Sequence, residues 1–190
     1  MTNTVSFTSM DQGTAEDYAL LHHLEKDFTA NTANRVLGHL QALQGSMGGH
    51  KIDRYQHSLQ TASRALRDGA SEEMVVAALI HDVGDLLAPD NHSDLAAAIL
   101  QPFVSAQTHW IVRHHGIFQG YFFWHFIGGD RFAFEAYRGH EHFDATRAFC
   151  DRWDQTSFDP AYETLGLEVF EPMVQRIFAR TPYEASRTAA

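Results

Sequence analysis

The sequence holds a single cysteine, Cys150, among 190 residues, so no internal disulfide can form and the chain suits a reducing compartment. Basic residues are scarce: 14 Lys and Arg stand against 24 Asp and Glu, for a net charge of −10, and they form no cluster. Binding to a phosphate backbone depends on counterion release by clustered cations, so nucleic acid is not expected as a partner. A small anionic ligand stays open, because one arginine or a metal ion can reverse the local field. Long apolar runs are missing too. The most apolar stretch, Ile117 to Ile127, is too short to span a bilayer and contains Gln119 and His125, so no membrane partner is expected. Residues 1–13 are polar, with no basic segment leading into an apolar one; no signal peptide is read, and a cytoplasmic location is expected. No repeat, low-complexity tract or long linker divides the chain.

What is present is an ordinary globular composition, 44% hydrophobic and 20% charged, in a chain long enough to bury a core and short enough for one domain. Strand-like alternation is absent and helical spacing recurs, so the expected fold is all-α. Thr14 would cap a helix to about Phe28, with Tyr18, Leu21, Leu24 and Phe28 on one stripe. Further helices are expected over Asn34–Leu43 and over Arg54–Arg67, the latter ended by Asp68-Gly69. Ser71 caps the next, which runs apolar on all sides to Ile80 and is therefore expected to be buried. Helices are then expected from Asn91 or Ser93 to Leu100, from Ser105 to His114-His115, over Phe118–Phe126, and over Phe143–Asp154. A last one begins near Pro172, where proline suits a first turn, and runs to Arg180.

The unusual feature of the composition is histidine, with 13 copies. Imidazole binds metals and carries protons near neutral pH, so position has to decide its role. His81-Asp82 ends the apolar helix, where burial of either group without a partner is costly. A simple helix-end ion pair would explain the doublet taken alone. Yet His57 sits one helix upstream, His92 follows the next loop, His114-His115 end another helix and Asp154 a later one. A metal site needs nitrogen and oxygen donors converging from different elements, and these are suitably dispersed for a helical bundle.

His57, then His81-Asp82, then Asp154, resembles the signature of the HD-domain superfamily, over about His50 to Arg180. The resemblance implies an HD-domain helical bundle filling residues 1–190, with a loose arm at 1–13 and a tail at 181–190. Most members are phosphohydrolases, the simplest with four ligands. The additional His92 and a histidine at 114 or 115 resemble the HD-domain mixed-valence di-iron oxygenases instead. These include inositol oxygenases and enzymes that cleave the carbon–phosphorus bond of 1-hydroxyalkylphosphonates. The short chain and the run Arg152-Trp153-Asp154 look more like the phosphonate group. By resemblance the cofactor is a pair of iron ions, Fe(II) and Fe(III), and O2 is the co-substrate. Asp82 would bridge the irons and, with His81, carry catalysis; His57, His81 and Asp154 would serve one iron, His92 and His114 the other. Spacing favours His114 over His115.

The phosphonate-cleaving relatives that act on primary amines usually carry a Tyr and a Glu ahead of the first ligand; here that region reads Met47-Gly48-Gly49-His50. They also carry a histidine where this chain has Asp85, in His81-Asp82-Val83-Gly84-Asp85. A quaternary ammonium donates no hydrogen bonds and prefers aromatic faces and diffuse negative charge. Tyr121, Phe122, Phe123, Trp124 and Phe126 offer aromatic surface, with Tyr121 and Trp124 the chosen candidates and Asp85 the charge. The implied substrate is (R)-1-hydroxy-2-(trimethylammonio)ethylphosphonate, giving glycine betaine and phosphate. Arg138, His140 and Arg113 are the candidates for holding the phosphonate. Two other readings stand beside this: a metal-dependent phosphohydrolase of a nucleotide or other phosphate ester, and a non-catalytic sensor that has lost its metal.

Overall fold

The computed structural model describes residues 4–46 and 48–182; the outermost residues of the expected arm and tail, and Met47, lie outside them. Among the described residues there are eight α-helices and no strand beyond an isolated bridge between Gly48 and His50. The all-α expectation is met, and none of the described helices is long and apolar enough to cross a membrane.

Helix α1, Ala15–Ala30, starts with a full capping box in which Thr14 and Asp17 exchange hydrogen bonds. Asp17 also accepts from the Ser6 main chain at 2.8 Å, and Phe7 stacks on Tyr18, so the segment expected to be loose folds back on the helix. The stripe read on α1 is not core: Tyr18, Leu24 and Phe28 are exposed. Helix α2, Thr32–Gln41, buries Val36, Leu37 and Leu40 against the bundle.

Helix α3, Arg54–Arg67, is buried on nearly every side despite its polar sequence. Its small hydroxyl residues make this possible by bonding back to the helix itself, Ser58 to the Arg54 carbonyl and Thr61 to that of His57, each at 2.9 Å. Gly69, at φ +74°, ends α3 by a left-handed turn that lets the Ala70 N–H reach the Ala65 carbonyl. Helix α4, Glu72–Ile80, then packs against α3, and its residues Val75 to Ile80 have no exposed surface. His81 and Asp82 therefore emerge from the most deeply buried segment of the chain.

Helix α5, His92–Leu100, and helix α6, Ala106–Phe123, pack on each other. The two helical stretches expected between Ser105 and Phe126 are one continuous α6 as far as Phe123. Helix α7, Phe143–Phe149, passes directly into a π-turn at Cys150–Asp154, where the Gln155 N–H bonds to the Cys150 carbonyl. Helix α8, Leu167–Phe178, begins five residues earlier than Pro172 suggested. Its buried face is Leu167, Phe170, Val174 and Ile177, so burial outweighs the hydrogen bond lost at the interior proline.

Glu73 ties the bundle together. Its carboxylate accepts from the Ser105 N–H at 2.8 Å and the Thr108 hydroxyl at 2.7 Å, and pairs with Arg180. Burial acts to raise its pKa, but these donors outweigh it and bring it from 4.5 to about 2. A carboxyl depressed on folding stabilises fully above its unfolded pKa and loses that contribution as pH falls through the folded one. Glu73→Gln is expected to cost ~1–2 kcal/mol at pH 7. In melting experiments the gap from the unsubstituted protein should shrink as pH falls from about 4.5 towards about 2.

Candidate metal centre

Four elements supply the cluster. His57 projects from the first turn of α3, His81 and Asp82 from the end of α4, His115 from the middle of α6, and Asp154 from the π-turn after α7. The extra residue of a π-turn rotates the chain beyond it, and here it brings Asp154 to the cluster. His92 arrives separately, as the first residue of α5.

Each imidazole is oriented from behind. His57 Nδ1 donates to the Ser157 carbonyl and His81 Nδ1 to that of Ala78, both at 2.8 Å; His115 Nδ1 donates to the Val112 carbonyl at 2.6 Å. A carbonyl only accepts, so each of these rings carries a proton on Nδ1 and turns Nε2 into the cluster, where it can take a metal or a second proton. Yet the Nε2 atoms of His57 and His81 lie 3.2 Å apart, and those of His92 and His115 lie 3.3 Å apart. Two lone pairs facing at that distance repel unless a metal ion or a proton lies between them.

The carboxylates complete two nests. Asp154 Oδ1 is 3.2 Å from His57 Nε2 and 3.6 Å from His81 Nε2. Asp82 Oδ2 faces the same two nitrogens at 3.3 and 3.5 Å. Its other oxygen, Oδ1, faces His115 Nε2 at 3.1 Å and His92 Nε2 at 3.4 Å. Donors bound about 2.1 Å from one ion stand about 3.0–3.4 Å apart, close to the 3.1–3.6 Å found here. Asp154 Oδ2 is buried with no hydrogen-bond partner, and Asp154 Oδ1 is steadied by the Gln119 amide at 3.1 Å. These residues fit a metal, and the groups His57–His81–Asp154 and His81–Asp82–His115 each bring three donors within reach of one ion.

The electrostatics agree. Burial should raise the Asp82 carboxyl, but the His81 charge and the hydrogen bonds of His115 and His57 hold it well below the usual range. Asp154 is likewise lowered against its burial by His57 and His81. Burial should lower His57, but Asp154 and Asp82 push it up to about 10. Without a metal the cluster therefore draws in protons; a cation meets the same demand and satisfies every donor at once.

A cavity of about 450 Å³ opens onto the cluster. Asp82, His92, His115 and Asp154 form its floor, and Phe122, Phe123 and Phe158 its apolar walls, with His50, Arg54, Gln119 and Gln155 as further polar groups.

Several sequence expectations are corrected here. His115, not His114, joins the cluster: His114 is turned away and stacks on Trp110 with ring centres 3.7 Å apart. His140 covers the other face of that indole at 3.3 Å and is not at the cavity. Arg138 is exposed and paired with Glu135, and Arg113 is exposed and paired with Asp94 at 3.0 Å, so neither faces the cluster. Tyr121 lies under the Arg131 guanidinium and Trp124 beside α5; Phe122 and Phe123 line the cavity instead. Asp85 is close but not free, being buried between Arg54 Nε at 2.9 Å and His92 Nδ1 at 3.3 Å.

Arg54 is the cationic residue sequence reading missed. It stands three positions before His57, close to one helical turn, so its guanidinium reaches Asp82 Oδ2 at 3.4 Å. Gly84 has a hidden role as well. A Cβ there would come within 2.7 Å of His92 Cα, so only glycine lets His92 approach. Gly84→Ala is expected to push His92 out of the second nest. Metal analysis should then find the ion held by His57, His81 and Asp154 kept and any ion at His92 lost.

A model of the HD domain matches residues 54–158, which span all six clustered donors. In sequence, no curated protein matches the chain.

Proposed function

The chain belongs to the HD-domain family, and within it we propose a di-iron oxygenase that cleaves the carbon–phosphorus bond of a 1-hydroxyalkylphosphonate. The observation that carries this reading is the division of Asp82 between two histidine pairs, Oδ2 toward His57 and His81, Oδ1 toward His115 and His92. A carboxylate so placed suits a bridge between two adjacent ions. A donor set of imidazoles and carboxylates without thiolate suits iron.

His57, His81 and Asp154 would hold one ion with Asp82 Oδ2; His92 and His115 would hold the other with Asp82 Oδ1. Bound iron would supply Lewis acidity and the electron transfer that O2 requires. The protein residues bind and orient. Arg54, the charged cation at the cavity, would take a phosphonate oxygen, in place of the more distant Arg138, Arg113 and His140. Phe122, Phe123 and Phe158 offer the faces a trimethylammonium group prefers. Gln119 keeps Asp154 in register for its ion. The apolar walls exclude bulk water from the reacting carbon.

The reaction balances without an external reductant: one hydroxyalkylphosphonate and one O2 give one carboxylate and one phosphate. With (R)-1-hydroxy-2-(trimethylammonio)ethylphosphonate, O2 uptake and phosphate release are expected in equal amounts, with no phosphate formed under nitrogen. Undiminished phosphate release without O2 would instead establish hydrolysis. That rival has its own support, because Arg54 beside Asp82 would suit a phosphate ester equally well. Arg54→Ala is expected to raise KM by about 10–100-fold with a smaller change in kcat, the range for one charge-assisted anion contact. A kcat loss at unchanged KM would remove Arg54 from substrate binding.

A further inference from the structure

We propose that Asp85 is a positioning residue that anchors His92 and so governs whether the second nest keeps its ion. The inference rests on the two-ion reading above and deepens it.

The four clustered imidazoles are not held alike. Those of His57, His81 and His115 are fixed through Nδ1 by main-chain carbonyls at 2.6 to 2.8 Å, and at most 2% of each side chain is exposed. His92 Nδ1 has only a long hydrogen bond to the Pro89 carbonyl, at 3.4 Å, and 26% of the side chain is exposed. His92 also lies on the cavity floor, at the start of a helix whose N-cap makes no side-chain hydrogen bond. It is the donor most easily lost.

Asp85 Oδ1 is the charged group against its back, 3.3 Å from Nδ1. Only 3% of the Asp85 side chain is exposed, so water does little to screen that charge. A metal on Nε2 makes the whole ring more positive, so its attraction to the Asp85 charge, an ionic contact without an aligned hydrogen bond, strengthens when the ion arrives and weakens when it leaves. Asp85 Oδ2 meanwhile lies 2.9 Å from Arg54 Nε, in ionic contact without an aligned hydrogen bond. One buried carboxylate thus holds the back of a donor and the cavity's guanidinium together. In this arrangement the ion held by His57, His81 and Asp154 is the permanent one, and the ion at His92 and His115 is exchangeable.

The test is to load the protein with iron without air, dialyse it, and follow release to a chelator. The unsubstituted protein is expected to keep two ions and release them in two well-separated phases. Asp85→Asn, which preserves shape and removes the charge, is expected to release the fast ion about 10–100-fold faster, the usual cost of losing such a support. It should retain about one ion and lose the electron paramagnetic resonance signal of a coupled pair. A purely structural role would instead lower the melting temperature and leave the fast phase unchanged. Should Asp85→Asn not fold, the unsubstituted protein decides alone: a single release phase for both ions overturns the proposal. Two ions with two phases but no O2 consumption would sink the oxygenase reading and leave this one standing. O2 consumption with Asp85→Asn releasing both ions at the original rates would do the reverse.

Discussion

Asp82→Asn is expected to reduce the retained metal from two ions to at most one and to lower turnover by ~10³-fold or more, the several kcal/mol that a Lewis-acid pair contributes. The amide has the size of the carboxylate, so packing beneath His81 is preserved. What it loses is the negative charge that faces four imidazoles, through Oδ2 toward His57 and His81 and through Oδ1 toward His115 and His92. An amide cannot bridge two cations, and its NH2 group would turn toward one of the bare Nε2 lone pairs. Metal content, the signal of a coupled iron pair and circular dichroism together test this. Two ions retained by a folded Asp82→Asn protein would refute the bridging role.

The second large effect separates two neighbours. His115→Ala is expected to strip the second nest and lower turnover by ~10³-fold, because it removes a donor 3.1 Å from Asp82 Oδ1 and 3.3 Å from His92 Nε2. His114→Ala should keep both ions and most activity. It loses only the stack on Trp110 and the contact with Tyr137, about 0.5–1.5 kcal/mol for an aromatic pair. Metal counts on the two variants decide the matter, and the opposite pattern would return the ligand to His114.

That pair shows how far the sequence could be read. Adjacent helical residues point about 100° apart, and the apolar pattern of α6 is too uniform to say which of the two imidazoles faces inward. His114 and Tyr121 lie seven residues apart and share one face of α6, away from the cavity. The true face runs His115, Gly116, Gln119, Phe122, Phe123, one residue out of phase, and all five line the cavity. The stripe on α1 misled for a related reason: Tyr18, Leu24 and Phe28 have helical spacing, but they stay exposed instead of joining the core. Arg54 was legible in principle, because a residue one turn before His57 on the same helix shares its face.

The sequence by itself determined the all-α class, the caps at Thr14, Ser71 and Ser105, the buried α4, and the placing of His57, His81, Asp82 and Asp154 at helix ends and first turns. These depend on hydrogen bonds and burial within a turn or two of chain, which local residue order encodes. Only the tertiary structure decided that His115 displaces His114, that Asp82 divides its oxygens between two histidine pairs, and that Asp85 faces Arg54 and His92. Those contacts join segments far apart in the chain, and helix rotation, the π-turn and the Gly84 contact set their directions together. No single segment carries that information, because each orientation is fixed by what packs against it.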